Sequence, residues 1–501
     1  MSDFMMPTPE FQQTFVENAI TVTRRQMLVA IRNKAFIRVR GFMVIVIALL
    51  YGSLFYQLEP TNVQVTMGVL FQSLFFLGLG QYAQVPGYCS IRAIFYKQRR
   101  ANYIRTSAYV LACSASQIPW ALGETIVFGS LVYWMCGFVA TVASFLLYEL
   151  LIFQTLMAFA AWYFFMAAVT PDMHIAKPVS MMSIFTFVAF AGFVIPKNQI
   201  PDYFIWIYWM DPIAWCLRAV AVSQYQSTAF DVCEYAGVNY CTQYEMKMGE
   251  YFLSLYDVPS SENWVWIGIV ALFAIYAAFM VLGWAVLEYK RYESPEHVTM
   301  TDDNTESMAQ EGYLLATTPT SGRKTPAMGA QTDETVILNV KAATKKFEPV
   351  VIAFQDLWYS VPDPHDPKES LTLLKGISGY AMPGSITALM GSTGAGKTTL
   401  MDVIAGRKTG GTIQGKITLN GYEASDLAIR RCTGYCEQMD IHSDASTIRE
   451  ALVFSAFLRQ DSSVPDSQKY DSVEECLELL DLQSVADEIV PSRRPASIVP
   501  G

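Results

Sequence analysis

Charged side chains are scarce in this 501-residue sequence, at 16 % of all residues, whereas globular proteins average about 25 %. The deficit is local, because residues 41–289 contain 22 charged side chains and residues 290–501 contain 49. The first region carries too little charge for a water-exposed surface, and the second carries an ordinary share. A wholly soluble protein and a disordered chain are therefore excluded.

Cysteine is also too sparse for a disulfide-stabilised secreted domain, with nine in the whole chain. A long basic run is missing and the net charge is −10, so we expect no nucleic-acid partner. Cys233 and Cys241 are close enough in sequence for a disulfide, but the spacing does not require one. Cys432 and Cys436 should be reduced, and their neighbourhood in the sequence offers no further metal ligands.

Six apolar stretches are long enough to cross a bilayer, which takes about 20 residues. They are Gly41–Leu58, Val63–Val85, Ala108–Val139, Ser144–Val169, Pro178–Pro196 and Trp264–Leu287. Basic residues gather before the first stretch, between the second and third, and after the fourth and sixth. This bias places both ends of the six-span unit in the cytoplasm and the loop 197–263 outside. We therefore expect a multi-pass integral membrane protein that is surrounded by membrane lipid.

Two carboxylates, Glu124 and Glu149, fall inside predicted spans. Unpaired carboxylates are costly in lipid and suggest function. A hydrogen bond to a neighbouring helix or a position near the headgroups is the simpler interpretation, which we favour. The aromatic run Tyr203–Trp215 is interpreted as an interfacial or re-entrant segment. Residues 1–40 carry apolar side chains at helical spacing with arginines between them, which predicts an amphipathic helix on the inner membrane surface.

Residues 290–335 are rich in Ser, Thr and acidic residues and predict a flexible linker. The pattern then changes to that of short strands, at 336–340 and 350–354. A further predicted strand, Ser385–Met390, leads into the glycine-rich run 391–399 (GSTGAGKTT) and a helix over 400–405. The order strand, glycine loop and helix is typical of phosphate-binding loops.

The glycine-rich run matches the pattern G-x-x-x-x-G-K-[ST], in which backbone amides and a helix N-terminus bind phosphate oxygens. Lys397 is predicted to reach the β- and γ-phosphates of ATP, and the Thr398 hydroxyl to coordinate Mg²⁺. The predicted cofactor-binding residues of the loop are Gly391, Ser392, Gly394, Ala395, Gly396, Lys397, Thr398 and Thr399. The loop alone does not separate kinases, GTPases and transport ATPases.

The residues that follow the loop do separate these classes. A predicted strand pair at 411–421, the segment 435–438 (YCEQ) and the run 447–450 (TIRE) follow in an order that resembles the ABC ATPase domain. This order argues against a membrane-tethered kinase. The resemblance implies that Gln438 contacts both Mg²⁺ and the transmembrane partner. It also implies an upstream aromatic that stacks on adenine, for which Tyr359 is favoured over Trp358, although either ring could instead fill the core.

The order of the domains, with the ATPase after the six spans, restricts the resemblance to fewer ABC transporter families. The membrane part resembles the first transmembrane domain of a full-size pleiotropic drug resistance transporter, in the G subfamily of ABC transporters. The resemblance rests on the stretches 95–99 (FYKQR), 117–120 (QIPW), 132–138 (VYWMCGF) and 211–215 (DPIAW). It implies a helical membrane domain of the G-subfamily exporter type, followed by a truncated α/β P-loop ATPase domain.

The resemblance also implies the domain boundaries. It gives a connecting helix over 1–40, a six-span domain over 41–289, a linker over 290–335, a partial nucleotide-binding domain over 336–490 and an atypical tail over 491–501. The basic loop Arg92–Arg105 would meet the ATPase. Many relatives have an acidic residue where Gln98 stands, which leaves one coupling contact open.

Three catalytic features of the family have no match after Gln438: the signature motif, the Walker B carboxylates and the switch histidine. We therefore expect no catalytic residue in this chain, and an ATPase part of marginal stability on its own. The favoured function is ATP-driven export of amphipathic compounds or lipids, at the plasma membrane and together with a second ABC half. The alternative is a membrane-anchored nucleotide-binding or regulatory protein that does not turn over ATP.

Overall fold

The computed structural model describes residues 10–59, 62–227, 230–235, 238–290, 349–362, 370–392, 394–408, 410–436 and 445–489. The chain divides into two compact units. One contains Met1–Tyr292 together with Met439–Gly501, and the other contains Glu293–Gln438. Gln438, most of the predicted linker, the strand predicted at 336–340 and the tail 491–501 lie outside the described residues.

The part of the first unit that precedes residue 290 is almost entirely helical. Helices α1 to α6 are Phe15–Arg32, Lys34–Leu54, Val63–Tyr82, Val85–Arg100, Thr106–Cys136 and Val142–Val169. Helices α7 to α12 are Met173–Phe190, Ile205–Met210, Pro212–Tyr225, Tyr240–Gln243, Met248–Ser254 and Asn263–Tyr289. Two short strands, β1 (Glu234–Tyr235) and β2 (Val238–Asn239), pair antiparallel between α9 and α10.

Five helical segments are both long and apolar enough to cross a membrane: α2, the joined α3 and α4, α6, α7 and α12. A sixth crossing is available if α8 and α9, which are bent by 75° at Asp211, are counted as one broken span. This bend falls inside the aromatic run that was predicted to be interfacial or re-entrant. Helix α5, the third predicted span, is 31 residues long but is not among these five, so its crossing stays a prediction.

Local chemistry accounts for the bend at Asp211 and for the shape of the loop that follows it. Asp211 caps α9 because its Oδ1 accepts a hydrogen bond from the Ile213 amide at 2.8 Å, and Pro212 suits the first helical position. In the following loop, Cys233 and Cys241 form a disulfide with their Cα atoms 5.2 Å apart. The pairing that the sequence left open is therefore present in the structure.

The core of this unit is built from aromatic side chains packed against small residues. Tyr109, Tyr133 and Phe159 are among the largest fully buried side chains. Gly78 shows why small residues are needed, because a Cβ there would lie 2.8 Å from Cε2 of Phe159. The absence of a side chain at Gly78 lets α3 and α6 approach each other closely, as is common where membrane helices pack.

Residues 445–489 also belong to the first unit. Helix α15 (Ile448–Arg459) begins with a capping box, in which Thr447 and Glu450 satisfy each other's backbone amides. Helix α16 (Asp466–Leu479) follows α15 in the chain. Its buried residues Val473 and Leu477 pack with Ala486 and with one face of α15.

The second unit contains a four-stranded antiparallel sheet in the order β4-β3-β5-β6. The strands are Ile352–Pro362 (β3), Ser370–Ala381 (β4), Thr412–Leu419 (β5) and Tyr422–Glu423 (β6). Two helices, α13 (Lys397–Ile404) and α14 (Asp426–Cys432), accompany the sheet. The strand pair predicted at 411–421 has the wrong bounds, because β5 fills most of that segment as a single strand and its partner β6 begins only at Tyr422. The turn between them falls at Asn420 and Gly421, which both have positive φ. The buried core is small and contains Leu357, Tyr359, Leu374, Leu400 and Val403.

The strand predicted at Ser385–Met390 is wrong for the described structure, which shows no regular secondary structure there. Ile386 is 102 % exposed and Met390 is 90 % exposed, although both are apolar. A strand needs a neighbour to pair with, and none of the strands among the described residues pairs with this segment. The apolar sequence therefore leads into the glycine-rich loop as extended, uncovered chain.

Candidate functional site

Two glycines in the described part of the glycine-rich loop have left-handed backbone conformations. Gly394 has φ +84° and Gly396 has φ +83°, conformations that side chains with a Cβ rarely adopt. Gly396 is the N-cap of α13, so the loop delivers the positive end of the helix dipole to its own concave side. The anion site stays a prediction, for which this loop and helix N-terminus provide suitable geometry.

Lys397 lies at the start of α13 with its ammonium group turned back over the loop. Its Nζ donates hydrogen bonds to the carbonyl oxygens of Gly391 at 2.7 Å and Ser392 at 2.6 Å. These carbonyls hold the cation beside the loop amides, where a phosphate group would also contact it. Thr398 is exposed, so its hydroxyl is open to a Mg²⁺ ion, and the residues present fit the predicted nucleotide.

The structure places Tyr359 where it cannot stack on adenine without leaving the core. Its side chain is only 4 % exposed, and its hydroxyl donates to the carbonyl oxygen of Gly410 at 2.9 Å. Trp358, by contrast, is 41 % exposed. Tyr359 therefore fills the core, which is the alternative that the sequence left open. Trp358 is the exposed ring that remains available to stack on adenine.

A buried carboxylate connects the loop helix to the segment that leads to Gln438. Asp402 is 2 % exposed and accepts a hydrogen bond from the hydroxyl of Tyr435. It also forms an ion pair with Lys408, with Nζ and Oδ2 2.9 Å apart. Sequence reasoning missed this cluster, because nothing in the spacing of these residues indicates that they meet.

Helix α15 packs directly on the membrane helices. Leu458 is 2 % exposed and shares the core of the membrane helices, with Phe454 packed at its edge. Arg32, at the end of α1, donates to both carboxylate oxygens of Glu450, at 2.5 Å and 2.6 Å. The hydrogen bond from Arg32 lowers the pKa of the Glu450 carboxyl. The two parts of the first unit are thus joined by a bidentate ion pair and by apolar contact.

Arg25, on the same face of α1, lies where three elements meet. Its Nη1 donates to Oε1 of Gln98 on α4 at 3.0 Å, and its guanidinium lies 4.1 Å from the ring centroid of Phe454 on α15. Burial lowers the pKa of Arg25 to about 10. Within the described residues this cation has a neutral acceptor and a ring, and no carboxylate.

Gln98→Glu is expected to strengthen this junction by about 1 kcal/mol, because a carboxylate binds a buried cation more strongly than an amide does. The thermal unfolding temperature of the purified chain should rise, and added salt should remove little of the gain. Gln98→Ala is the control and should lower that temperature. A Gln98→Glu chain that is destabilised like the alanine variant would contradict the expectation.

Glu124 forms side-chain contacts with two neighbouring helices, as the favoured interpretation expects. Glu124 is 4 % exposed and forms an ion pair with Arg40 of α2. Its Oε2 also accepts a hydrogen bond from Nε2 of Gln81 at 2.9 Å. Gly80 makes room for this pair, since a Cβ there would lie 1.7 Å from Nη2 of Arg40.

Glu149 is held less completely. The hydroxyl of Ser130 donates to its Oε1 at 3.4 Å, and a Cβ at Gly129 would lie 2.6 Å from the same oxygen. Its Oε2 has no hydrogen-bond donor among the described residues. The side-chain contact again agrees with a hydrogen bond to a neighbouring helix.

Arg92 lies on α4, so the segment predicted as a basic loop begins as helix. Its side chain caps a membrane helix instead of reaching solvent. It is 7 % exposed, and its guanidinium donates to carbonyl oxygens at the end of α6. The acceptors include Ala167, Thr170 at 2.5 Å and Pro171 at 2.5 Å. These carbonyls are among those that a helix terminus leaves without an internal partner. The sequence offered only the basic character of the loop as a signal.

Two family models match this chain. Residues 17–225 match the ABC-2 type transporter family, and residues 374–498 match the ABC transporter family. The second match includes both the glycine-rich loop and α15. These matches relate the two parts of the chain to ABC transporters, and an ABC transporter domain generally implies binding of ATP. The apolar helices are those of an integral membrane protein.

Several curated proteins are similar to this chain over most of its length. ABC transporter G family member 36 of Arabidopsis thaliana is 30 % identical over 488 residues, which cover 93 % of this chain and 33 % of the relative. Pleiotropic drug resistance protein 1 of Nicotiana tabacum is 30 % identical over 93 % of this chain and 32 % of its own length. ABC transporter G family member 2 of Dictyostelium discoideum is 29 % identical over 93 % of this chain and 35 % of its own length.

The chain is thus similar to G family members of the ABC transporters and to pleiotropic drug resistance proteins, at about 30 % identity over 93 % of its length. It spans about a third of the length of the curated relatives that it matches.

Proposed function

We propose that this chain is part of an ATP-driven exporter of amphipathic compounds or lipids. The observation that carries the proposal is that one ABC domain match, 374–498, includes both a phosphate-binding loop and a helix packed on the membrane helices. A plasma-membrane location with both ends of the membrane domain in the cytoplasm completes the proposal, together with a second ABC half as partner.

Nucleotide binding is assigned to the loop. The backbone amides of Gly394, Ala395 and Gly396 and the ammonium group of Lys397 bind the phosphates, and Trp358 supplies the ring for adenine. The hydroxyl of Thr398 and the side chain of Gln438 would hold Mg²⁺. Hydrolysis of the bound ATP, with transfer of its terminal phosphoryl group to water, would supply the free energy for transport.

Coupling to the membrane is assigned to α15. The bidentate Arg32–Glu450 pair and the stacking of Arg25 on Phe454 fix α15 on α1. Arg459 adds a contact to Tyr103, in the turn between α4 and α5, at 5.2 Å from the ring centroid. A displacement of α15 must therefore move α1 and this turn together.

Nucleotide binding tests the proposal first. With the full chain in lipid nanodiscs, Lys397→Ala is expected to weaken binding of Mg²⁺-ATP by more than about tenfold, since the lysine contacts the phosphates directly. Lys375→Ala, an exposed lysine of β4, is the matched control and should leave the affinity unchanged. Equal affinity of the Lys397→Ala chain and the unaltered chain would overturn the site.

Turnover decides between export and the alternative. Vanadate-sensitive phosphate release that is lost in the Lys397→Ala chain supports an exporter. Binding of ATP without any release, even when a second ABC half is supplied, favours a membrane-anchored nucleotide-binding or regulatory protein. Substrate class is then measured separately, by transport of labelled amphipathic compounds and of labelled lipids into vesicles.

A further inference from the structure

Arg218 of α9 is enclosed by an aromatic box. The rings of Tyr208, Trp209, Trp215 and Trp264 each have their centroid 5.0 Å from its Cζ atom, and the residue is 3 % exposed. Tryptophan and tyrosine faces attract cations. The box, made from α8, α9 and the start of α12, therefore stabilises the positive charge.

The box does not satisfy the hydrogen bonding of the guanidinium. An arginine has five N–H donors that point outward in the plane of the group, whereas ring faces attract the charge. Nη2 donates to the hydroxyl of Tyr208, but Nε and Nη1 find no acceptor in the described part of the chain. The buried carboxylate of Asp211 does not pair with this guanidinium: its Oδ1 caps α9, and its Oδ2 has no donor among the described residues. A buried cation is thus left with donors that require an acceptor.

A second cation and a set of exposed rings lie beside the box. The Nζ of Lys197 is 5.5 Å from the ring centroid of Trp209, so this ring contacts both cations. Trp209 is 37 % exposed, Trp206 is 57 % exposed and Tyr203 is 71 % exposed. Exposed tryptophan and tyrosine side chains concentrate at the headgroup level of bilayers, which is also the level of the lipid phosphates.

We propose that Arg218 and Lys197 bind the phosphate group of a phospholipid, which enters past Trp209. The phosphate oxygens accept hydrogen bonds from Nε and Nη1 of Arg218. Lys197 supplies a second positive charge on the other side of Trp209, at the rim of the site. The exposed rings contact the glycerol and the upper acyl chains of the same lipid. The proposal does not rest on the proposed transport function, because none of the site's residues belongs to the nucleotide loop or to α15.

The test titrates the full chain, purified in dodecyl maltoside, with diheptanoylphosphatidylcholine. Bound lipid is counted by native mass spectrometry, and the tryptophan fluorescence of the box is followed in parallel. One saturable site is expected. Arg218→Met should weaken binding at least about tenfold and Lys197→Met about threefold, whereas Arg218→Lys should bind more tightly than Arg218→Met. Unchanged affinity in Arg218→Met overturns the proposal.

Two ligand controls identify the source of the phosphate. Diheptanoylglycerol has the same acyl chains without the phosphate, and equal binding of this compound would overturn the proposal. Inorganic phosphate that saturates the site at the same concentration would overturn the lipid assignment in favour of a free anion. If Arg218→Met does not purify as a monodisperse protein, the affinity of the Lys197→Met chain for the lipid decides the proposal. An affinity equal to that of the unaltered chain would overturn it, because Lys197 is proposed to contact the phosphate.

Discussion

Replacing Glu124 with leucine is expected to lower the free energy of unfolding of the membrane domain by about 3–5 kcal/mol. The change leaves the Arg40 guanidinium buried without its counter-charge, and it removes the acceptor of Gln81. Removing both charges, as in Arg40→Met with Glu124→Leu, should recover most of the loss, because apolar replacement of a buried ion pair is often close to neutral. Thermal unfolding of the chain in detergent measures both effects.

Glycine substitutions provide a matched control for this ion pair. In Gly80→Ala the new Cβ would lie 1.7 Å from Nη2 of Arg40, so the guanidinium must move away from Glu124 and stability should fall. Gly123 lies next to Glu124 on α5, and a Cβ there would have nothing within 4 Å. Gly123→Ala should therefore leave the stability unchanged or raise it slightly. Equal stability of the two alanine variants would show that the ion pair does not need its observed position.

Arg92→Leu is expected to destabilise the end of α6 by about 2–4 kcal/mol, because several terminal carbonyls lose a charged donor at once. Hydrogen–deuterium exchange should accelerate in peptides that end near Thr170, and the unfolding temperature should fall. Arg92→Lys should give an intermediate result, since an ammonium group keeps the charge at the helix terminus but cannot reach as many carbonyls.

The control for this second prediction is Arg24→Leu. Arg24 is an exposed arginine of α1, so its loss should change neither exchange at α6 nor stability. If Arg92→Leu behaves like Arg24→Leu, the hydrogen bonds of Arg92 do not hold the end of α6.

Features of composition and of local spacing were predictable from the sequence. The apolar stretches mark the membrane helices, because a bilayer selects length and hydrophobicity directly. The glycine-rich loop is equally local, since the φ values of Gly394 and Gly396 require glycine at those positions. The capping box of Thr447 and Glu450 is likewise a pattern within one turn.

Features that depend on distant partners were not predictable. Glu124 was marked as unusual, but nothing in the sequence selects Arg40, 84 residues away, over the other arginines near the membrane. Tyr359 and Trp358 are neighbours of similar character, and only the packing of the sheet shows which ring is buried. The segment Ser385–Met390 has the composition of a strand, but a strand forms only where a neighbour pairs with it.

The uncovered segment Ser385–Met390 has a consequence for the biogenesis of the protein. Side chains such as Ile386 and Met390, exposed to water on extended chain, are what chaperones and aggregation nuclei recognise in nascent proteins. The time that this segment remains uncovered after synthesis should therefore set how much of the protein survives quality control. Cellular abundance would then depend on whether a strand pairs with this segment.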